Sequence, residues 1–416
     1  MKIAIIGSGI SGNTIAHLLH NEHDIKVFES NSRIGGHSHT HNIKMEKKEI
    51  SVDTGFIVFN KKTYPLFTEL LNTLGVKYEN SSMSFSVFSD ISGLEYNGTN
   101  VNTLFAQRKN IFNLKFIKMI WEIIRFNKKS IKLLSTESNI TLGDYLKEEK
   151  YSTYFTNNYI LPMGSAIWSS DIKTMESFPA KFFISFFYNH GMLSINERPQ
   201  WLTITGGSQH YVKKLCASFE DKIETSSEIQ CVERCEKDIK ITLSGKVERF
   251  DYVFFACHSD EALMLLKDPS DEEKKILSSI PYTKNEVFLH TDISMMPKNK
   301  LAWAAWNYSI DNQTSDPVTL TYNMNILQGI KAPETFCVTL NDTAAINPNR
   351  ILGTFNYAHP VFSLDGIKAQ QRWQEINGNR NTWYCGAYWH NGFHEDGVVS
   401  ALRVAEGIDQ VGKAAA

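Results

Sequence analysis

Ile3-Ala4-Ile5-Ile6-Gly7-Ser8-Gly9-Ile10-Ser11-Gly12-Asn13-Thr14-Ile15-Ala16 is the stretch from which the rest of the chain can be read. A short apolar run ends in three glycines, after which Ile15, Ala16, Leu18 and Leu19 fall on one helical face. The order is strand, tight turn, helix. Gly7 permits the turn, Gly9 lets the backbone lie against a pyrophosphate, and Gly12 lets the helix pack closely on the strand. Ile10 and Ser11 open the helix, where free N–H groups and the helix dipole favour phosphate. The next strand, Ile25 to Phe28, ends at Glu29, about 20 residues beyond the glycines, where a carboxylate binds ribose hydroxyls. This pattern predicts a nucleotide cofactor.

The 416 residues suffice for two domains, or three. Apolar residues make up 42%, charged residues 21% and aromatics 12%, with no uninterrupted apolar run of about 20, so disordered, fibrous and membrane-spanning classes are disfavoured. Lys and Arg number 43 against 45 Asp and Glu, a net charge of −2 that speaks against a globally basic nucleic-acid binder. The six cysteines lack paired metal-ligand spacing and read as reduced thiols. Met1-Lys2 runs straight into the first strand and leaves no room for a signal peptide, so a cytoplasmic protein is expected.

Glu29-Ser30-Asn31-Ser32-Arg33-Ile34-Gly35-Gly36-His37 resembles the acid, Arg and Gly-Gly segment of the flavin amine oxidase, phytoene desaturase and protoporphyrinogen oxidase superfamily. The resemblance implies FAD, with Ser30, Arg33, Gly35, Gly36 and His37 along its diphosphate. An Arg often follows Gly-Gly in that superfamily; here His37 stands in its place. His37, His39 and His41 share parity and, on an extended strand, offer a metal one face. The position after Gly35-Gly36 favours a cofactor loop, and no metal is expected. In Val52-Asp53-Thr54-Gly55-Phe56-Ile57-Val58-Phe59, the resemblance sets Gly55, Phe56 and Ile57 beside the flavin ring. Trp201 to Val212 looks like the return to the FAD domain, after which the backbone at Ile229 is expected to meet the adenine. In Trp383 to Ala401, Gly386 matches a diphosphate contact, while Asp396, Gly397 and Val398 match a helix start aimed at the flavin pyrimidine.

The fold class implied is α/β, a discontinuous Rossmann FAD domain of the glutathione-reductase type with a mixed α/β substrate domain. Its expected segments are 1–60, 201–285 and 375–416 for FAD, and 61–200 and 286–374 for substrate. No covalent-flavin Cys pattern is present, so FAD is expected without a covalent bond, Cys385 being the thiol to check. Within the superfamily, Asn189-His190-Gly191-Met192, Arg198-Pro199-Gln200-Trp201, His290-Thr291-Asp292, Trp306-Asn307-Tyr308, His359-Pro360 and Gly392 to Gly397 resemble FAD-binding oxidoreductases associated with bacterial cyclopropane-fatty-acid synthases. A lipid methyltransferase partner is implied by that subgroup.

Between Leu104 and Leu134, eight cations (Arg108, Lys109, Lys115, Lys118, Arg125, Lys128, Lys129 and Lys132) face one acid, Glu122, with large apolar residues interleaved. Such a segment either lies on an anionic membrane at the inner face or packs on the core with a solvated basic side. The aromatic run Phe182 to Tyr188, with Trp303, Trp306 and Tyr308, suits a cavity for an acyl chain or polyene better than one for a small cation. An FAD-dependent desaturase, dehydrogenase or double-bond isomerase of a fatty-acyl or other lipid substrate is therefore expected. The alternatives are oxidation of a small amine, for which the usual Lys is not recognised, and a flavoprotein that presents lipid to a partner. Acid/base candidates are Tyr159, His190, His290, His359, His390, His394 and Glu395, with His394 and Glu395 placed near the ring by resemblance and equally able to cap a helix.

Overall fold

The computed structural model describes residues 1–45, 48–194, 198–310, 319–341 and 343–415. Five parallel strands lie in the order Ile223–Glu224, Asp24–Phe28, Lys2–Ile6, Tyr252–Phe255 and Thr382–Tyr384. Side chains alternate along a strand, so Ile3 and Ile5 enter one core while Ala4 and Ile6 enter another. That is why the first run is apolar without a gap. The helix Ile10–Leu19 packs beneath through Ile15, Ala16 and Leu19, beside Val404 and Ile408 of the C-terminal helix His394–Ala415. The other face is covered by an antiparallel sheet of Ile229–Arg234, Ile239–Leu243 and Lys246–Phe250, through Val232, Ile241 and Phe250.

A seven-stranded mixed sheet forms the second layer, in the order Ile351–Pro360, Tyr282–His290, Cys337–Leu340, Leu320–Asn323, Trp306–Ile310, Phe85–Ser89 and Leu94–Asn97. Only the pairing of Trp306–Ile310 with Phe85–Ser89 is parallel. Helices between residues 101 and 189 pack against it, and Phe116, Phe126, Phe155, Phe178 and Phe183 are fully buried there. Two details differ from the boundaries expected from chain order. The helix Pro65–Thr73 sends Phe67 and Leu71 into the nucleotide-side core beside Ile15 and Tyr211. The strand Tyr282–His290 lies wholly in the second sheet, because nine paired positions with Ile351–Pro360 hold it there. Among the described residues, no helix is long and apolar enough to cross a membrane.

Candidate FAD and substrate site

One continuous cavity of about 910 Å3 runs between the two sheets. Its nucleotide end is walled by Gly7, Gly9, Ile10, Ser11, Glu29, Ser30, Arg33, Gly36 and His37, and its middle by Gly55, Phe56, Ile57, Gly386 and His394. The far end is mostly apolar, with Met163, Ile167, Trp168, Phe186, Phe362 and Phe393.

The glycines divide into two kinds. A Cβ on Gly12 would sit 1.9 Å from the Gly7 carbonyl oxygen, so Gly12 is required by packing alone. A Cβ on Gly9 would meet nothing within 4 Å, so the bare backbone there faces open space on the cavity wall. Glu29 is 5% exposed and held by five donors: Ser8 N at 3.0 Å, Ser8 Oγ at 2.6 Å, Asn31 N and Nδ2 at 2.8 Å each, and Ser30 Oγ at 3.4 Å. It therefore joins the first loop to the second while standing on the wall. Gly35 stays off the wall, its N–H donating to the Ser8 carbonyl at 3.0 Å. Gly55 packs on the next loop, where Phe56 N donates to the His37 carbonyl at 2.8 Å.

His37 lies among rings brought from distant segments, with centroids 5.3 Å from His359, 5.3 Å from Tyr357 and 6.0 Å from His258. Burial, followed by the neighbouring His359, His258 and His394, lowers its pKa well below the ordinary imidazole value. Its Nε2 is enclosed without a hydrogen-bond partner. Among the described residues no carboxylate lies within ion-pair distance of Arg33, which leaves a cation on the wall for an anionic group. The open face at Gly9, the cation at Arg33 and the enclosed nitrogen of His37 together fit a diphosphate. The His39 and His41 rings lie 4.3 Å apart and tilted by 56°, and His39 bonds Tyr357 OH at 2.8 Å through Nδ1.

Several expected roles are reassigned by the geometry. The Glu395 carboxylate accepts from Leu66 N at 3.1 Å and Phe67 N at 2.9 Å, which caps the helix Pro65–Thr73 and keeps it off the cavity wall. His394 lies on the wall, but burial lowers its pKa to about 3, and its Nε2 sits 3.0 Å from Ser38 Oγ and 3.1 Å from Tyr211 OH. It is a neutral, fixed hydrogen-bonding group and a poor proton acceptor. Asp396 accepts from Phe393 N at 2.9 Å, Gly397 packs on Ile10, and Val398 enters the core, so of this helix start His394 reaches the wall and these three residues do not. Ile229 is also off the wall because its strand pairs in the antiparallel sheet; Ser30 and Asn31 line the cavity at that end. His290, bonded to Thr339 Oγ1 at 2.7 Å, and His390 are not wall residues either. Cys385 is fully buried and off the wall, its thiol pushed up to about 12 by burial.

Of the acid/base candidates, Tyr159, His190 and His359 join His394 on the wall. Tyr159 belongs to a π-helical turn, Thr156–Ile160, an irregularity found often at functional sites. Burial raises its phenol to about 12. His190 Nδ1 is 2.9 Å from the Phe186 carbonyl, which makes Nδ1 the N–H nitrogen and Nε2 the acceptor; burial lowers its pKa to about 4. Arg198, His258 and Tyr282 are wall residues that carried no local signal of this role, since folding alone assembles them.

Cyclohexylamine oxidase from Brevibacterium oxydans IH-35A has a similar fold, at a TM-score of 0.66 and 14% identity over 98% of this chain and 99% of that one. A CLA-producing fatty acid isomerase from P. acnes matches at 0.68 and 15% identity over 98% of both chains. Reduced UDP-galactopyranose mutase matches at 0.69 and 14% identity over 99% of this chain and 96% of that one. No curated protein sequence matches the chain. The family model described as flavin containing amine oxidoreductase matches residues 14–409. With that match across almost its whole length, the chain belongs to the flavin-containing amine oxidoreductase family and is an FAD-dependent oxidoreductase.

Proposed function

We propose that the protein oxidises, desaturates or isomerises a fatty-acyl substrate whose tail occupies the apolar end of the cavity. The observation that carries this reading is the composition of the wall. Beside Met163, Ile167, Trp168, Phe186, Phe362 and Phe393 the wall carries no carboxylate; among the described residues the only wall acids are Glu29 and Glu261, and no lysine lines the wall. A substrate ammonium would be desolvated there without a counter-charge, whereas methylene groups gain roughly 0.8 kcal/mol each on burial. The fold itself serves both chemistries, as the amine oxidase and the fatty acid isomerase show.

Bound FAD supplies a hydride acceptor. The chain's own residues bind, orient and exclude water. Gly9, Arg33 and His37 would hold the diphosphate, Glu29 the ribose, and Gly55 to Ile57 the ring edge. Phe186 and Phe393 stack 5.1 Å apart and Trp168 lies 4.9 Å from Phe186, forming a dry wall along the tail. Arg198, exposed on the wall and without an ion pair among the described residues, offers a carboxylate anchor. Tyr159 keeps its proton at working pH and orients by donation, while His190, held neutral by burial, offers Nε2 as a hydrogen-bond acceptor.

The test is an anaerobic titration of the yellow holoprotein with unsaturated fatty acids and, separately, with simple amines, combined with mass-spectrometric product analysis. Bleaching or double-bond change with the fatty acids alone is expected. Bleaching by amines alone would overturn the reading.

A further inference from the structure

We propose that the face formed by residues 108–132 docks onto an anionic lipid bilayer. The helix Leu114–Lys129 is two-sided: Phe116, Met119 and Phe126 are fully buried, while Leu114 is 83% and Trp121 59% exposed. Ile117 and Ile124 continue the same stripe at helical spacing, and Phe112, on the preceding turn, is 87% exposed. Large apolar side chains grouped on one side of a helix are unusual on a soluble surface and mark an interaction face.

Charge selects the occupant. The one acid between residues 101 and 136, Glu122, is 1% exposed and points inward, accepting from Ser152 N at 2.9 Å. No carboxylate of this segment therefore stands on its outer face among the cations. Lys129 pairs with Glu149, and Arg125 donates to the Glu149 carbonyl at 3.1 Å while lying over the Tyr151 ring. Lys109, Lys115, Lys118, Lys128 and Lys132 have no ion pair among the described residues. A protein partner of ordinary composition would balance such a face with mixed charge; an anionic headgroup layer above acyl chains matches both the cations and the apolar stripe. Trp121 suits the boundary between them.

A shallow recess opens beside the stripe, walled by Lys115, Lys118, Ser152, Thr153, Tyr154, Asn157 and Asn158, of which the two lysines bring cations to an anionic headgroup. The turn Thr156–Ile160 sends Asn157 and Asn158 to this recess and Tyr159 to the wall of the substrate cavity. One helical turn thus separates the bilayer face from the cavity. Docking does not depend on which molecule is oxidised.

The experiment is flotation of the holoprotein with vesicles of phosphatidylcholine containing phosphatidylglycerol, against vesicles of phosphatidylcholine alone. At least tenfold more protein is expected to float with the anionic vesicles, and the excess should fall as salt is raised. F112S/W121S should lose at least tenfold of that binding with its flavin spectrum and melting unchanged, since both side chains lie outside the core. K115Q/K118Q should bind severalfold less tightly and with a weaker salt dependence. Equal or absent binding of the parent protein to both vesicle types would overturn the proposal. So would unchanged binding by F112S/W121S, or a dimer in solution that this variant abolishes, which would assign the face to a second copy.

Discussion

His394 lies flat on Phe56, ring centroids 3.6 Å apart and planes 16° from parallel. The stack holds a neutral imidazole whose pKa burial lowers to about 3, against about 6.5 in the unfolded chain. Between these values the unfolded chain binds the extra proton, so the stabilisation is present above about pH 6.5 and is lost as pH falls toward 3. His190, His290, His359 and His390, each lowered to about 4 chiefly by burial, act in the same direction. The melting temperature is therefore expected to drop from pH 7 to pH 5. His394→Gln should give a shallower dependence; an identical slope would remove His394 from this account.

Gly9 and Gly12 should separate binding from folding. Gly9→Val adds a side chain that meets only open cavity, so the protein should fold with normal circular dichroism and emerge without flavin. Gly12→Val drives a side chain into the Gly7 carbonyl, and a loss of at least about 3 kcal/mol of stability is expected. A yellow Gly9→Val protein with stoichiometric FAD would refute this placement of the diphosphate.

Glu395→Ala tests whether that carboxylate caps or catalyses. Leaving the Leu66 and Phe67 N–H donors without their carboxylate acceptor at the start of Pro65–Thr73 should cost about 1 kcal/mol in denaturant unfolding. Turnover at saturating substrate should stay within about twofold, whereas an acid/base group contributes about 100-fold or more.

Arg198→Gln should raise KM for a free fatty acid about tenfold, the scale of one charge-assisted hydrogen bond. The methyl ester of the same acid should show no such change, because it brings no charge to pair. An equal effect on acid and ester would make Arg198 a packing residue.

Local chemistry was legible wherever the signal was local. The strand, glycines and helix from Ile3 to Leu19, and the carboxylate at Glu29, sit together in sequence as they do in space. The wall around His37 was not legible, because His258 arrives from the loop after Tyr252–Phe255 and His359 from the strand Ile351–Pro360, and the sequence between them does not encode their meeting. Glu395 shows the same limit. A helix start was readable at residues 394 to 398, yet the N–H groups it caps belong to residues 66 and 67. The amphipathic segment held two readings at once, because its sequence does not say which apolar residues the core takes: Phe116 and Phe126 pack inward while Phe112 and Trp121 stay outside.

The five-stranded sheet joins both ends of the chain: Lys2–Ile6 lies beside Tyr252–Phe255, which lies beside Thr382–Tyr384. During synthesis at about 5–20 residues per second, the last of these strands follows the first by roughly 20 to 75 s. For that interval the nascent nucleotide half carries an unpaired strand edge and lacks the C-terminal helix that covers Ile15. The nucleotide half therefore closes only once residues 382–408 have been made, so FAD retention is expected to depend on that segment.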